Sequence, residues 1–529
     1  MSTIEHKPTA QQQAFIDFCL SSTGHGALIA RAGCGKTSTI MLAVAAIAKR
    51  FPNAEVTVCA YNKAIAEEIS GKLKKAGYSD WKKYQASTIH SMGYGLIKFL
   101  FKPEIDDKKV RKLIRAYADR TEIELNKAYA GSPDRPVNYA AEYESQVERM
   151  VAVAKQAAVG FFDDLPIGDT KVWTTLADHF DINGFEKTTD LEACIKVAQT
   201  IYRQSLELTS VIDFDDMVLF PLVKNIRVRF GRDFIFLDEA QDLSRARQAL
   251  AKKFLKPTGR MFIIGDDRQA IYGFSGADAD ALNNLTKSLN ATVLPLTVTW
   301  RCPKAVVEVA KTIVPDIEAA PEAPEGEVVY TDALPGELTV GDAILCRKTA
   351  PLITLAYQLI RQGKAAKVEG RDIGNNLLAL VNRWKVTTID AFIKRLEAYR
   401  DREVQKAQAK DQDSKVEQIN DRCDTLREIC SVCISRQQTS LQSVRDFIEG
   451  LFADNNRDCV VLATYHRSKG REWGRVYLWD HKNCCPSKYA KQEWQKHQEE
   501  NLAYVAFTRS QRVLTFIDPP AEEKKEKAA

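Results

Sequence analysis

Residues 30–37 read Ala30-Arg31-Ala32-Gly33-Cys34-Gly35-Lys36-Thr37, and no other stretch carries as strong a chemical signal. The octet fits a phosphate-loop pattern, except that Ala30 stands where a glycine usually does. Gly33 and Gly35 let the backbone turn its N–H groups toward phosphate oxygens. A helix that continues through Thr37 and Ser38 adds its positive N-terminal end. Lys36 is placed to reach the β- and γ-phosphates of a nucleoside triphosphate, and Thr37 to ligate Mg²⁺. The plain alternative is a glycine turn without function. A hydrophobic run before the loop and a helical run after it argue against that.

A second group is Asp238-Glu239-Ala240-Gln241-Asp242, directly after the hydrophobic run 234–237. A carboxylate at the end of a strand can hold Mg²⁺, and a neighbouring carboxylate can take the proton of an attacking water. Asp238 is therefore assigned to the metal and Glu239 to the water. The bland alternative is an acidic start to the next helix, stabilised by its dipole. A phosphate loop upstream makes the catalytic reading the stronger one.

These residues need strands to position them. Short β-rich runs at 27–30, 56–60, 234–237 and 261–264 each end in polar residues, and helical stretches separate them. That pattern predicts an α/β fold with a parallel sheet whose ligands lie beyond the C-terminal strand ends. A second set at 343–346, 460–463, 476–479 and 513–517 predicts another domain of the same class. Residues 101–204 read as a mostly helical insert with a loop around 131–136. Residues 375–449 contain neither glycine nor proline. There, Ile389, Phe392, Ile393, Leu396 and Tyr399 keep helical spacing. Val416, Ile419, Cys423, Leu426, Cys430 and Cys433 step by three and four like a coiled-coil seam. With the polar stretch 405–415 between them, they predict an antiparallel helical hairpin with a charged tip.

Composition sets limits on this picture. A chain of 529 residues is too long for one core. With 75 basic and 70 acidic residues the net charge is only +5, so any nucleic acid must meet a local basic groove. The start is polar, and the apolar run at 40–48 is too short to span a bilayer. No membrane association is expected. Twelve scattered cysteines suggest reduced thiols in a cytoplasm, bacterial or phage-infected, or in a nucleus if the source is eukaryotic. Cys430 and Cys433 invite a zinc reading, with Cys484 and Cys485 as further ligands. Their place on the helical seam favours packing.

The order of the motifs resembles that of superfamily 1 DNA helicases of the UvrD/PcrA/Rep type. The resemblance rests on Pro8-Thr9-Ala10-Gln11-Gln12-Gln13, the phosphate loop, Tyr61-Asn62-Lys63-Ala64 and Thr88-Ile89-His90-Ser91. It continues through Asp213-Phe214-Asp215-Asp216-Met217, the acidic run from Asp238, and residues 265–277. Trp300-Arg301, residues 464–473 and residues 502–509 complete it.

Such a likeness implies two RecA-like motor domains, at 1–100 with 205–303 and at 304–385 with 450–529. The inserts at 101–204 and 386–449 would be helical, the second much smaller than the duplex-gripping insert of UvrD. It implies ATP with Mg²⁺, and movement along single-stranded DNA with 3′-to-5′ polarity. Partners would be single strands, single-strand/duplex junctions and a possible protein such as a nuclease or repair factor. Gln12 would read adenine, with Gln11 the other register, and Trp300 would stack on the base. Glu472 would contact the ribose or nucleotide. Gln269 would touch the γ-phosphate and pass its presence to Tyr272 and Phe274 on the DNA side. Stacking a base on such an aromatic face is worth about 1–3 kcal/mol regardless of sequence. Tyr61, Asn62, His90 and His466 would contact DNA. Arg301 and Arg509 resemble the two arginines of the second motor domain that meet the γ-phosphate on closure. Residues 499–501, Glu-Glu-Asn, depart from the family's paired arginines. A different class stays open: an ATPase subunit that senses nucleic acid without separating strands.

Overall fold

The computed structural model describes residues 7–80, 82–121, 139–180, 182, 191–271, 280–408, 413–452, 458–491 and 493–519. The chain divides into two compact units, residues 1–297 and 298–529. The division falls a few residues ahead of the expected 303, so Trp300 and Arg301 belong with the second unit.

The strands of the first unit are β1 (Gly26–Ala30), β2 (Val56–Ala60), β3 (Tyr84–Thr88), β4 (Glu104–Ile105), β5 (Val211–Ile212), β6 (Arg232–Leu237), β7 (Leu255–Gly265) and β8 (Thr292–Leu296). Six of them form a parallel sheet in the order β3-β2-β6-β7-β1-β8, and β4 pairs with β5 separately. The strands β1, β2 and β6 are mostly Ala, Val, Ile, Leu, Phe and Cys because helices cover both sheet faces. One face packs Phe15, Ile40, Val44, Ile47 and Ile69 against Val58, Phe236 and Phe262. The other buries Met92, Leu219, Leu250 and Ile263, and continues into the helical insert through Val147, Met150, Trp173 and Tyr202.

The insert contains helices Lys109–Thr121, Tyr139–Ala157, Thr170–His179 and Leu191–Glu207. The loop expected around 131–136 lies outside the described residues. Two buried lysines fasten the insert. Lys109 Nζ lies 2.6 Å from Asp216 Oδ2, and Lys155 Nζ lies 2.5 Å from Asp213 Oδ2 and 2.7 Å from Asp216 Oδ1. Asp213 and Asp216 also close a capping box at the start of helix Phe214–Val223. The aspartates thus hold their own helix and the insert together.

The second unit contains β9 (Val298–Thr299), β10 (Glu318–Ala319), β11 (Glu327–Thr331), β12 (Ala343–Cys346), β13 (Ala366–Val368), β14 (Val460–Thr464), β15 (Trp473–Trp479) and β16 (Ser510–Ile517). Its main sheet is also parallel, ordered β11-β16-β15-β12-β14-β13. Both sheets are α/β and parallel, as the two sets of hydrophobic runs predict.

The hairpin consists of helices Ile389–Gln408 and Asp413–Ser435, with a third helix, Leu441–Leu451, packed on them. The seam residues from Val416 to Cys433 are buried against Phe392, Leu396 and Tyr399, in one core with the sheet residues Ile344 and Leu462. Polar ties reinforce the docking. Asp421 Oδ1 accepts the N–H groups of Thr349 and Ala350 at 2.9 and 3.3 Å, and Arg347 bridges Glu417 and Glu499 at 3.2 and 2.8 Å. Among the described residues no helix is long and apolar enough to cross a membrane. All twelve cysteines are buried thiols.

Candidate functional site

The phosphate loop leaves β1 and enters helix Lys36–Arg50. Gly33 and Gly35 have φ of +73° and +78°, left-handed values that a side chain would strain. Their conformation bends the backbone between strand and helix. Lys36 opens the helix, Thr37 follows half-buried, and Ser38 is exposed. Arg31 is not free to roam: its Nη1 lies 3.2 Å from Asp266 Oδ1 and 2.7 Å from Asp267 Oδ1. Ala30, Ala32 and Cys34 are buried under the loop.

The acidic pair sits beyond β6, which is separated from β1 by β7. Asp238 is buried, and its Oδ1 accepts the Glu239 N–H at 3.0 Å. Glu239 has φ +49°, a left-handed value unusual for a residue with a side chain. That turn accompanies a Glu239 Oε1 that lies 2.7 Å from Lys36 Nζ. Gln241 donates to the other Glu239 oxygen, and its own carbonyl oxygen accepts the Asp266 N–H at 3.2 Å. Gln269 Nε2 donates to Asp266 Oδ2 at 2.7 Å. Phosphate loop, acidic pair and Gln269 therefore form one connected polar cluster.

Its electrostatics favour cations. Burial, then the charge of Glu239, pushes the Asp238 carboxyl up to about 6, while Lys36 pulls it back. Burial likewise raises Asp266 against the pull of Arg31. Burial alone would lower Lys36, but Glu239, Asp238 and Asp266 outweigh it and hold the ammonium charged. Thr37 and Asp238 offer hard oxygen ligands, the chemistry that suits Mg²⁺. Among the described residues no three His, Cys, Asp or Glu side chains form a metal cage. Such a donor set fits an ion that takes its remaining ligands from phosphate and water.

The two registers of the glutamine motif separate in space. Gln12 is buried: its Oε1 accepts Thr9 N–H at 3.0 Å in a capping box, and its Nε2 donates to Thr39 at 3.0 Å. Both carboxamide atoms are thus bonded beside the phosphate loop. The Oε1 keeps a second lone pair and the Nε2 a second N–H for a further partner. Gln11 is half-buried and bonds Thr297 through both amide atoms at 2.8 Å.

Tyr61 and Asn62 follow β2, and His90 follows β3. Tyr61 is 40% exposed, and Asn62 caps the helix Lys63–Lys75 by accepting the Ile65 N–H at 2.9 Å. Burial, and secondarily Arg247, lowers His90 to about 4, so its imidazole is neutral near pH 7. Tyr272 and Phe274 lie outside the described residues.

In the second unit, Arg301 Nε lies 2.5 Å from Glu472 Oε2, and Gln511 donates to Glu472 Oε1 at 2.8 Å. Arg301 Nη1 reaches the Thr508 carbonyl at 3.4 Å. Arg509 donates to the carbonyls of Val505 and Arg471 at 2.7 and 3.1 Å and to Thr508 Oγ1 at 3.0 Å. The two arginines therefore flank Thr508, and Glu472 holds one of them. Trp300 is exposed at the end of β9. His466 follows β14, and burial, then Arg347 and Arg467, lowers it to about 3. Sequence reasoning missed Gln241 and Asp266 as links in the first cluster. Both lie inside the motifs it quoted, but nothing in their spacing says that they bond each other.

Comparison with known proteins places the sequence in a family. The profile of the UvrD/REP helicase N-terminal domain matches residues 9–290. A probable DNA helicase II homolog of Mycoplasma capricolum is 22% identical over 309 residues, 54% of this chain and 38% of the relative. The ATP-dependent DNA helicase Rep of Buchnera aphidicola is 22% identical over 298 residues, 54% of this chain and 42% of the relative. The ATP-dependent DNA helicase PcrA of Bacillus subtilis is 30% identical over 121 residues, 21% and 16% of the two chains. The chain thus matches less than half the length of each of these relatives. The profile covers more than half of this chain, from the capping box through the phosphate loop to the region after Gln269, and the chain belongs to the UvrD/REP helicase family of superfamily 1.

Proposed function

We propose that this chain hydrolyses ATP while moving on single-stranded DNA in the 3′-to-5′ direction, and separates strands at single-strand/duplex junctions. The contact between Lys36 and Glu239, with Asp238, Asp266 and Gln269 beside it, carries the reading. Loop N–H groups and Lys36 bind the phosphates. Arriving phosphate draws Lys36 away from Glu239 and frees that carboxylate to orient and deprotonate the attacking water. Thr37 and Asp238 would hold Mg²⁺, which would neutralise phosphate charge when bound. Gln269 senses the γ-phosphate, and its bond to Asp266 ties that event to the rest of the cluster. Arg301 and Arg509 add charge that stabilises the transition state, an effect worth about 10³–10⁵ in rate where such arginines act. Trp300 stacks on the base, and Gln12 reads adenine, with Gln11 the other register. Tyr61, Asn62, His90, Tyr272, Phe274 and His466 form the strand contacts.

Polarity is tested with duplexes carrying single 3′ or 5′ tails. Opening of the 3′-tailed duplex alone is expected. Opening of only the 5′-tailed one would overturn the direction.

A second reading has one observation behind it. The hairpin shares a core with the second unit's sheet and is nearly neutral, so it offers no basic arm for duplex. A chain of that kind suits a DNA-sensing ATPase that serves a nuclease or repair partner. Strong unwinding by the chain alone would remove this reading.

A further inference from the structure

The strand face of the first unit has a cation that the motif pattern does not supply. Neighbouring strands in the order β3-β2-β6 deliver three residues to one edge of the sheet. His90 follows β3, Tyr61 follows β2, and the helix Arg245–Lys253 follows β6. That helix packs on the helix carrying His90, Ile89–Phe101, and on Phe214–Val223. Arg247 stands in its first turn, half-buried. Its charge is felt at Tyr61, His90 and Asp215, so it lies within electrostatic range of these groups.

Arg247 also differs from its neighbours in how it is bonded. Arg245 pairs with Asp164 and lies over the Phe162 ring. Among the described residues, no acceptor or carboxylate is bonded to the Arg247 guanidinium; only its backbone N–H is used, toward Ser244. A guanidinium presents five donors in a planar fork that matches a phosphate. Losing part of its hydration without a partner is a cost that an arriving anion would offset. The groups around it lack positive charge: the His90 imidazole is neutral, and Tyr61 and Asn62 are uncharged.

We propose that Arg247 is a strand-binding residue of the first unit, gripping a DNA phosphate beside the bases that Tyr61 and His90 contact. The inference rests on the DNA reading given above and adds the residue that supplies charge there. The Tyr61 hydroxyl feels Asp242 and Glu239 as well as Arg247.

The test measures binding of the full chain to a fluorescent oligo-dT strand across a series of KCl concentrations. Each lost phosphate contact lowers the slope of log K against log salt by about 0.7 on a single strand. Arg247→Ala is expected to lose about that much slope and about tenfold in affinity at low salt, with Arg247→Lys keeping the slope. A merely structural arginine would leave the slope unchanged. Should Arg247→Ala melt early, Arg247→Gln removes the charge and keeps the stem. A wild-type slope in the uncharged variant overturns this inference alone. A wild-type chain that does not bind the strand overturns the DNA reading and this inference with it.

Discussion

The Lys36 ammonium lies 2.7 Å from the Glu239 carboxylate, so the phosphate-binding cation and the proposed base hold one another. The pairing keeps Lys36 charged in a buried place and fixes a side chain on a left-handed residue. Removing the charge of Glu239 should therefore separate binding from hydrolysis. Glu239→Gln is expected to lower kcat by about 10²–10⁴, the usual worth of a positioned base. Nucleotide affinity should hold or rise, because Lys36 no longer has a rival for phosphate. Stopped-flow hydrolysis beside equilibrium binding of a fluorescent ATP analogue measures both. Near-normal turnover in this variant would remove Glu239 from the reaction.

Glu472 discriminates between two roles. The resemblance makes it a ribose or nucleotide contact, whereas the structure shows it holding Arg301 and accepting from Gln511. If it serves mainly to position Arg301, Glu472→Gln should lower kcat about tenfold and leave KM for ATP close to normal. A ribose contact predicts the opposite, a raised KM with kcat preserved. Steady-state kinetics over a range of ATP concentrations decides.

The buried cluster of Lys109, Lys155 and Asp216 makes a stability prediction. Asp216→Ala leaves two lysines, each 1% exposed, without their shared partner. Breaking a buried pair from one side costs about 3–5 kcal/mol. Urea unfolding should show a midpoint shift of that size in a transition reporting on the first unit. A change below about 1 kcal/mol, the scale of an exposed pair, would contradict the assignment.

Two histidines give a pH prediction. His90 and His466 are held near about 4 and about 3, mainly by burial, against an ordinary value of 6.5. Between 6.5 and those values the unfolded chain binds protons that the folded chain does not. Their contribution to stability is therefore present above 6.5 and declines as pH falls through that window. NMR titration should find both imidazoles neutral at pH 6. Titration of either near 6.5 would contradict the burial described for it.

Much of this architecture can be read from the residues, and the exceptions share a cause. Runs such as 56–60 and 343–346 announce themselves because strands covered on both faces must be apolar along their length. The seam from Val416 to Cys433 is legible because a helix repeats its buried face every three or four residues. Strand β3, Tyr-Gln-Ala-Ser-Thr, is an edge strand with mixed polarity, and its sequence does not separate it from a loop. β13 is three residues long, too short for a pattern. Local chemistry also reads well: the phosphate loop and acidic pair stand as motifs. Long-range pairing does not, since nothing in sequence tells Lys109 that Asp216 is its partner. The surroundings of the two glutamines are hidden for the same reason. Only the fold shows that Gln12 turns inward to Thr39 while Gln11 meets Thr297.

The central claim is that ATP hydrolysis at the Lys36 loop is driven by a DNA strand. Steady-state hydrolysis by the purified chain, with and without single-stranded DNA and beside Lys36→Ala, tests it most directly. The account predicts strong stimulation by the strand and loss of turnover in Lys36→Ala, with much of the DNA binding retained. Hydrolysis by folded wild-type protein that ignores DNA, or turnover that survives in Lys36→Ala, would contradict it.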